Sequence, residues 1–164
     1  MSVAHIVDQV ATFGCDWVEI TGGEPLLQEK VLPFMSRLCD EGFKVLIETG
    51  GHMSIENIDD RVKRIMDVKC PSSGEANKMY WHNMDLLNKN DQVKFVIGNL
   101  EDYEFTRETI TKYKLNKMCT VLLSPVFGEL NPQELAEWIL KDSLPVRMQL
   151  QMHKFIWQPE TRGV

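Results

Sequence analysis

Along the chain, short runs rich in β-branched residues alternate with stretches whose apolar positions recur every three to four residues. Ile6, Val10 and Phe13 fall on one face of a first helix, which Ser2 can cap and Gly14 ends. Residues 17–21 then read as a strand, and Val31, Met35 and Leu38 mark the buried face of a helix over residues 28–40. Lys44–Thr49 is the next strand, closed by Gly50 and Gly51, and residues 64–69 and 91–97 are two more, with a helical stretch over 80–89 between them. Residues 101–114 read as a helix and 117–123 as a strand. Asn131 as cap, Pro132 in the first turn and Glu134 three residues on start a further helix, leading to a last strand over 145–151.

No repeat, low-complexity tract or linker divides the sequence, so a single domain over residues 1–164 is expected. Repeated βα units predict an α/β fold with a parallel sheet, open or curled into a partial barrel. Parallel strands covered on both faces are continuous apolar runs. These strands instead carry polar residues at one parity: Glu19 and Thr21; Glu48; Asp67 and Lys69; Gln92 and Lys94; Thr120 and Ser124; Arg147, Gln149 and Gln151. Side chains two apart share a face, so these positions can line a common interior. Glu19, Glu48 and Asp67 would there nearly cancel Lys69, Lys94 and Arg147, which suits a polar ligand, because unmatched charge is costly to bury. The alternative is a sheet whose polar face meets solvent.

Composition narrows the setting. The chain is 43% hydrophobic and 26% charged, which suits a globular core and argues against disorder. A net charge of -6 leaves no basic footprint for nucleic acid or anionic lipid. No apolar run approaches membrane-spanning length, and the first residues lack the basic-then-apolar order of a signal peptide. Cys15, Cys39, Cys70 and Cys119 are too scattered for a C-x-x-C motif. Reduced thiols in a cytoplasmic protein are expected.

Thr21-Gly22-Gly23-Glu24-Pro25 follows the first strand directly, where ligand sites of parallel sheets lie. Its two glycines allow close backbone approach to a ligand, and Glu24 offers a carboxylate to a ligand ammonium. On local grounds alone it is equally an ordinary turn.

Ile20–Leu26, I-T-G-G-E-P-L, resembles the motif with which the radical S-adenosylmethionine (SAM) superfamily holds the methionine amino group. Glu48-Thr49-Gly50-Gly51, Asp67-Val68-Lys69-Cys70-Pro71, Val93-Lys94-Phe95-Val96, Leu123-Ser124-Pro125 and the H-K-x-x-x-x-P ending at His153 to Pro159 follow in order. Together they resemble the 7-carboxy-7-deazaguanine synthase family across essentially the whole chain. The resemblance implies a partial (β/α) barrel of radical SAM type. It implies contact of Gly22, Gly23 and Glu24 with SAM, of Glu48 and Thr49 with its ribose, and of Cys70, Pro71 and Ser72 and of Ser124, Pro125, Val126 and Phe127 with the same cofactor. Thr21, His153 and Pro159 would meet the pterin substrate. The implied reaction cleaves SAM with a 4Fe-4S cluster electron, giving a radical that abstracts hydrogen from 6-carboxy-5,6,7,8-tetrahydropterin; ring contraction with loss of ammonia yields 7-carboxy-7-deazaguanine. Mg2+, a homodimer and an electron donor such as flavodoxin are implied as well.

Plainer readings stand beside these. Cys70 can be a small buried hydrophobe, Ser124-Pro125 a strand exit, and Arg147, Gln149 and Lys94 an internal polar network. His5, His52 and His82 are expected at the surface. The family's cluster sits in an N-terminal cysteine loop whose threonine contacts Mg2+, and four scattered cysteines cannot converge on one cluster. The chain is therefore expected to lack the first βα unit and to be inactive alone. A non-catalytic module that binds SAM and pterin, a remnant, or a radical enzyme for another substrate remain as alternatives.

Overall fold

A computed structural model describes residues 3–161. Six strands, β1 (Trp17–Ile20), β2 (Lys44–Thr49), β3 (Lys63–Val68), β4 (Gln92–Ile97), β5 (Thr120–Pro125) and β6 (Arg147–Met148), form one sheet in sequential order, every neighbouring pair parallel. The helices are α1 (Val3–Ala11), α2 (Val31–Asp40), α3 (Leu100–Tyr113), α4 (Leu115–Met118), α5 (Pro132–Lys141) and α6 (His153–Ile156). Right-handed crossovers between sequential parallel strands all fall on one side of the sheet. Val45, Ile47, Met66, Val93, Phe95 and Leu123 accordingly join Met35, Leu38, Tyr103, Ile110 and Leu135 in one core.

The opposite face carries the polar parity, and this is why the strands alternate. Register sets Asp67 beside Lys94, and Glu48 reaches Lys94 with Oε1 at 3.6 Å from Nζ. Lys69 Nζ lies 2.7 Å from Asp67 Oδ2. Leu46, Ile65, Val96 and Leu122 share the parity, so the face is amphipathic.

Several boundaries differ from expectation, and Ser2 lies outside the described residues. The stretch over 80–89 is a 3₁₀ turn, Trp81–Leu86, in which Asn83 N bonds Tyr80 O and the Asn83 side-chain amide binds a neighbouring loop. Lys117 and Met118 belong to α4, entered through Lys114 at φ 54°, and β5 begins at Thr120. The last strand shrinks to Arg147–Met148: the chain turns at Met152, whose N–H donates to Leu150 O. Arg147 and Gln149 are exposed, and Lys94 pairs with Glu48 instead, so an internal network of the three does not form. α1 ends at Ala11, so Phe13 lies beyond it and is 81% exposed while Val7 takes the buried place, and α2 begins at Val31 rather than at residue 28. β2 runs Lys44–Thr49, and Asn131 caps α5 by accepting from Gln133 N at 2.9 Å.

Candidate functional site

The turn leaving β1 is shaped by its glycines. Gly22 and Gly23 have φ of 91° and 53°, with open space where a Cβ would stand. Such backbone favours glycine and leaves room for a ligand against it. Glu24 then caps a 3₁₀ turn, Pro25–Leu27, accepting from Leu26 N at 3.1 Å. Its side chain is only 5% exposed. A carboxylate so enclosed needs donors, and the end of β2 supplies them: Thr49 Oγ1 at 3.0 and 2.8 Å and Gly50 N at 2.9 Å. The loops after β1 and β2 are thereby joined through one carboxylate.

Beside this junction opens a cleft of about 450 Å³. Thr21, Gly23, Glu24, Glu48 and Thr49, all singled out in the sequence, line it, with Gly22 in the adjoining turn. Asp67 and Lys69 form a further wall. Thr21 Oγ1 donates to Glu48 Oε2 at 3.3 Å, so Glu48 stands between Thr21 and Lys94. The Glu19 carboxyl, two residues before Thr21 on the same face, is raised by burial and then by Glu48, with Lys94 opposing. Asp67 Oδ1 is buried without a hydrogen-bond partner among the described residues, an acceptor that a ligand donor could satisfy.

The other residues singled out lie apart from this cleft. Cys70 is buried with its thiol 3.8 Å from Thr106 Oγ1, and burial pushes that thiol up to about 12. A ligand could meet this stretch only through its backbone, Pro71 or Ser72. Ser72 donates from N and Oγ to Asp102. Ser124 is buried at the end of β5, followed by Pro125, Val126 and exposed Phe127. Phe127 packs edge-to-face on Phe155, ring centroids 5.3 Å apart, over a second cleft of about 150 Å³ that Pro125 and Gln151 also line. His153 opens α6 and Pro159 follows it, both exposed.

Two contributors, His52 and Asn83, were not legible beforehand. His52 is exposed, as expected, and also lines the cleft, with Nδ1 3.6 Å from Glu24 Oε2. Its loop is held by fully buried Asn83, which donates to Gly51 O and Met53 O and accepts from Ile55 N. Gly51, at φ 72°, has backbone that favours glycine, and a Cβ there would lie 2.7 Å from the end of the Met79 side chain, which would have to shift. Position in a loop after a strand was the available signal for His52; nothing local marked Asn83.

Cys15 is exposed, Cys39 and Cys119 half-buried and Cys70 buried; Cys39 lies in α2 and the others in three separate connections. Among the described residues no group of three His, Cys, Asp or Glu side chains could hold a metal ion. These residues do not fit a 4Fe-4S cluster or a Mg2+ site, whereas the cleft, its glycine turn and its carboxylates fit SAM. Among the described residues no helix is long and apolar enough to cross a membrane.

Comparison with known proteins gives this arrangement its family. No protein-family model matches the chain. A 7-carboxy-7-deazaguanine synthase of Koribacter versatilis is 50% identical over 161 residues, which cover 90% of this chain and 71% of that protein. The synthases of Chlorobaculum tepidum and Clostridium acetobutylicum are 43% and 36% identical, each match covering all of this chain and 76% of the relative. The crystal structure of QueE from Escherichia coli superposes with a TM-score of 0.73 at 21% identity, over 92% of this chain and 64% of that one. Streptococcus suis SuiB bound to S-adenosylmethionine gives 0.57 at 12% identity, over 89% and 40%. The two structures share the fold, and the sequence relatives, matched over most of their length, show that the chain belongs to the 7-carboxy-7-deazaguanine synthase family.

Proposed function

We propose that this chain provides the SAM- and pterin-binding surface of a radical SAM carbon–nitrogen lyase. The reaction converts 6-carboxy-5,6,7,8-tetrahydropterin to 7-carboxy-7-deazaguanine with ring contraction and loss of ammonia, a step of deazapurine (queuosine) biosynthesis. The observation that carries the reading is the meeting of Thr21, Gly23, Glu24 and Glu48 at one cleft, at the strand ends where parallel sheets bind ligands.

In this reading the turn at Gly22 and Gly23 lets the methionine end of SAM approach backbone, and Glu24, held by Thr49 and Gly50, faces its ammonium. Thr49 acts through Glu24, because its hydroxyl is engaged there and it is 2% exposed; Glu48 is the better placed of the pair for the ribose. The 70–72 and 124–127 stretches, with His153 and Pro159, complete the cofactor and substrate surface from the neighbouring loops. These residues would hold SAM, which, given one electron from an external donor through a cluster they do not themselves hold, would supply the hydrogen-abstracting chemistry. The chain's own part is to orient the substrate and exclude water. Since these residues do not fit the cluster, we derive no cleavage step from them, and the chain alone is expected to be inactive. A homodimer, an external one-electron donor such as flavodoxin and a cytoplasmic setting belong to the same reading.

Equilibrium dialysis with labelled SAM tests it. Saturable uptake by this chain, lost in Glu24→Gln, is expected. Absence of uptake, or uptake indifferent to that change, overturns the assignment. Formation of 5'-deoxyadenosine by this exact chain under reducing, anaerobic conditions would refute its expected inactivity.

A further inference from the structure

We propose that Asp102 is a positioning residue that fixes the loops after β3 and β4 against each other, at a point where the loop after β5 also packs. The proposal rests on the reading of the 70–72 and 124–127 stretches as cofactor contacts. Asp102 sits in the first turn of α3 and is 0% exposed. Its Oδ1 accepts from Ser72 N at 2.9 Å; its Oδ2 accepts from Ser72 Oγ at 2.5 Å and from Gly98 N at 2.8 Å. Asn99 Oδ1 caps Asp102 N at 3.0 Å, which fixes the residue's place in the turn. A single carboxylate therefore spans the loops after β3 and β4, favoured there by the positive end of the helix.

The third loop enters through Gly98. A Cβ on Gly98 would lie 3.2 Å from Asp102 Oδ2, 3.2 Å from Ser72 Oγ and 3.4 Å from Glu129 Oε2. Its backbone is not in the left-handed region, so a side chain there is opposed by crowding alone, each neighbour having to give by a few tenths of an ångström. Glu129 follows the 124–127 stretch and donates its N–H to Val126 O, while Val126 N donates to Ile97 O at 2.8 Å. Three loops thus meet at one point, and two of them carry cofactor stretches.

Asp91 is the natural control. It is equally enclosed, at 1% exposed, and is satisfied by Arg64, but it precedes β4 and so sits at the other end of that strand. If Asp102 served stability alone, the two aspartates would behave alike.

The experiment compares Asp102→Asn, Gly98→Ala and Asp91→Asn in the full chain by amide hydrogen exchange, thermal unfolding and dialysis with labelled SAM. Asparagine at 102 must turn an N–H toward one of the donors, and Gly98→Ala disturbs the same point without changing charge. Both are expected to speed exchange over residues 70–74 and 98–99 about tenfold or more and to weaken SAM binding about tenfold. Asp91→Asn is expected to lower Tm while leaving both readouts at the wild-type level. Wild-type exchange in either segment of Asp102→Asn, or equal loss of SAM binding in Asp91→Asn, overturns the proposal. Should Asp102→Asn fail to fold, Gly98→Ala decides by the same two readouts. A wild-type chain that takes up no SAM refutes the cofactor reading and the positioning role with it, while the exchange data still report whether the loops are tied.

Discussion

Thr49 Oγ1 donates to the Glu24 carboxylate, 2.8 Å from Oε2 and 3.0 Å from Oε1, and joins the end of β2 to the glycine turn after β1. Thr49→Val keeps the shape and removes the donor from an enclosed carboxylate. The change is expected to cost about 1–3 kcal/mol and to weaken SAM binding. Thr49→Ser, which retains the hydroxyl, should recover most of both. Thermal unfolding with dialysis checks the pair, and a Thr49→Val chain as stable as wild type would refute the argument.

Asn83 makes three hydrogen bonds to the loop carrying His52, all from a fully buried amide. Asn83→Ala leaves Gly51 O, Met53 O and Ile55 N with fewer partners and opens a void. A loss of about 2–4 kcal/mol is expected, read as a lower urea midpoint at unchanged slope. Asn83→Asp should be worse than its size suggests, since a carboxylate would face two carbonyl oxygens.

Arg64 and Asp91 form a buried pair, Nη2 to Oδ2 at 3.0 Å and Nε to Oδ1 at 3.1 Å, between the starts of β3 and β4. Asp91 also accepts from Arg64 N and Asn88 N. Arg64→Met should cost about 3–5 kcal/mol, because it strands a buried carboxylate. The loss should shrink when Asp91 is also changed to Asn. A double-mutant cycle showing no coupling would count against this.

The thiols should separate by burial. Burial pushes Cys70 up to about 12 and Cys119 to about 11, from an ordinary value of 9.0, whereas Cys15 is exposed. Alkylation of the native chain at pH 8, followed by peptide mapping, should mark Cys15 first and leave Cys70 untouched.

The same shifts predict an alkaline weakness. A folded-state pKa raised above the unfolded value contributes stability that is complete below pH 9 and is lost as pH rises toward 11 and 12. Tyr103, also raised to about 12 by burial and Asp142, adds to the upper part of that window. Cys70→Ala should flatten the pH dependence of Tm above pH 9, and an unchanged slope would refute the linkage.

Order and type of the strands were determined by the sequence itself. Alternating polarity, turn glycines and caps act over a few residues, and they marked β2, the start of α5 and the T-G-G-E-P turn without reference to distant contacts. Alternation within a parallel array also pointed to a common polar interior rather than a face packed by helices, because a strand packed on both sides has no use for Glu48, Asp67 or Lys94 at that parity. Tertiary structure decided which of those polar residues meet. Glu24 finds Thr49 twenty-five positions away, Asn83 finds Met53 at thirty, and Asp102 finds Ser72 at thirty. No local period encodes such separations. Arg147 and Gln149 show the converse: the parity was right, but they sit at the outermost strand of the sheet and are exposed. Local pattern sets the element and its faces, whereas the assignment of donor to acceptor waits for packing, since a buried carboxylate or amide persists only where distant chain brings it partners.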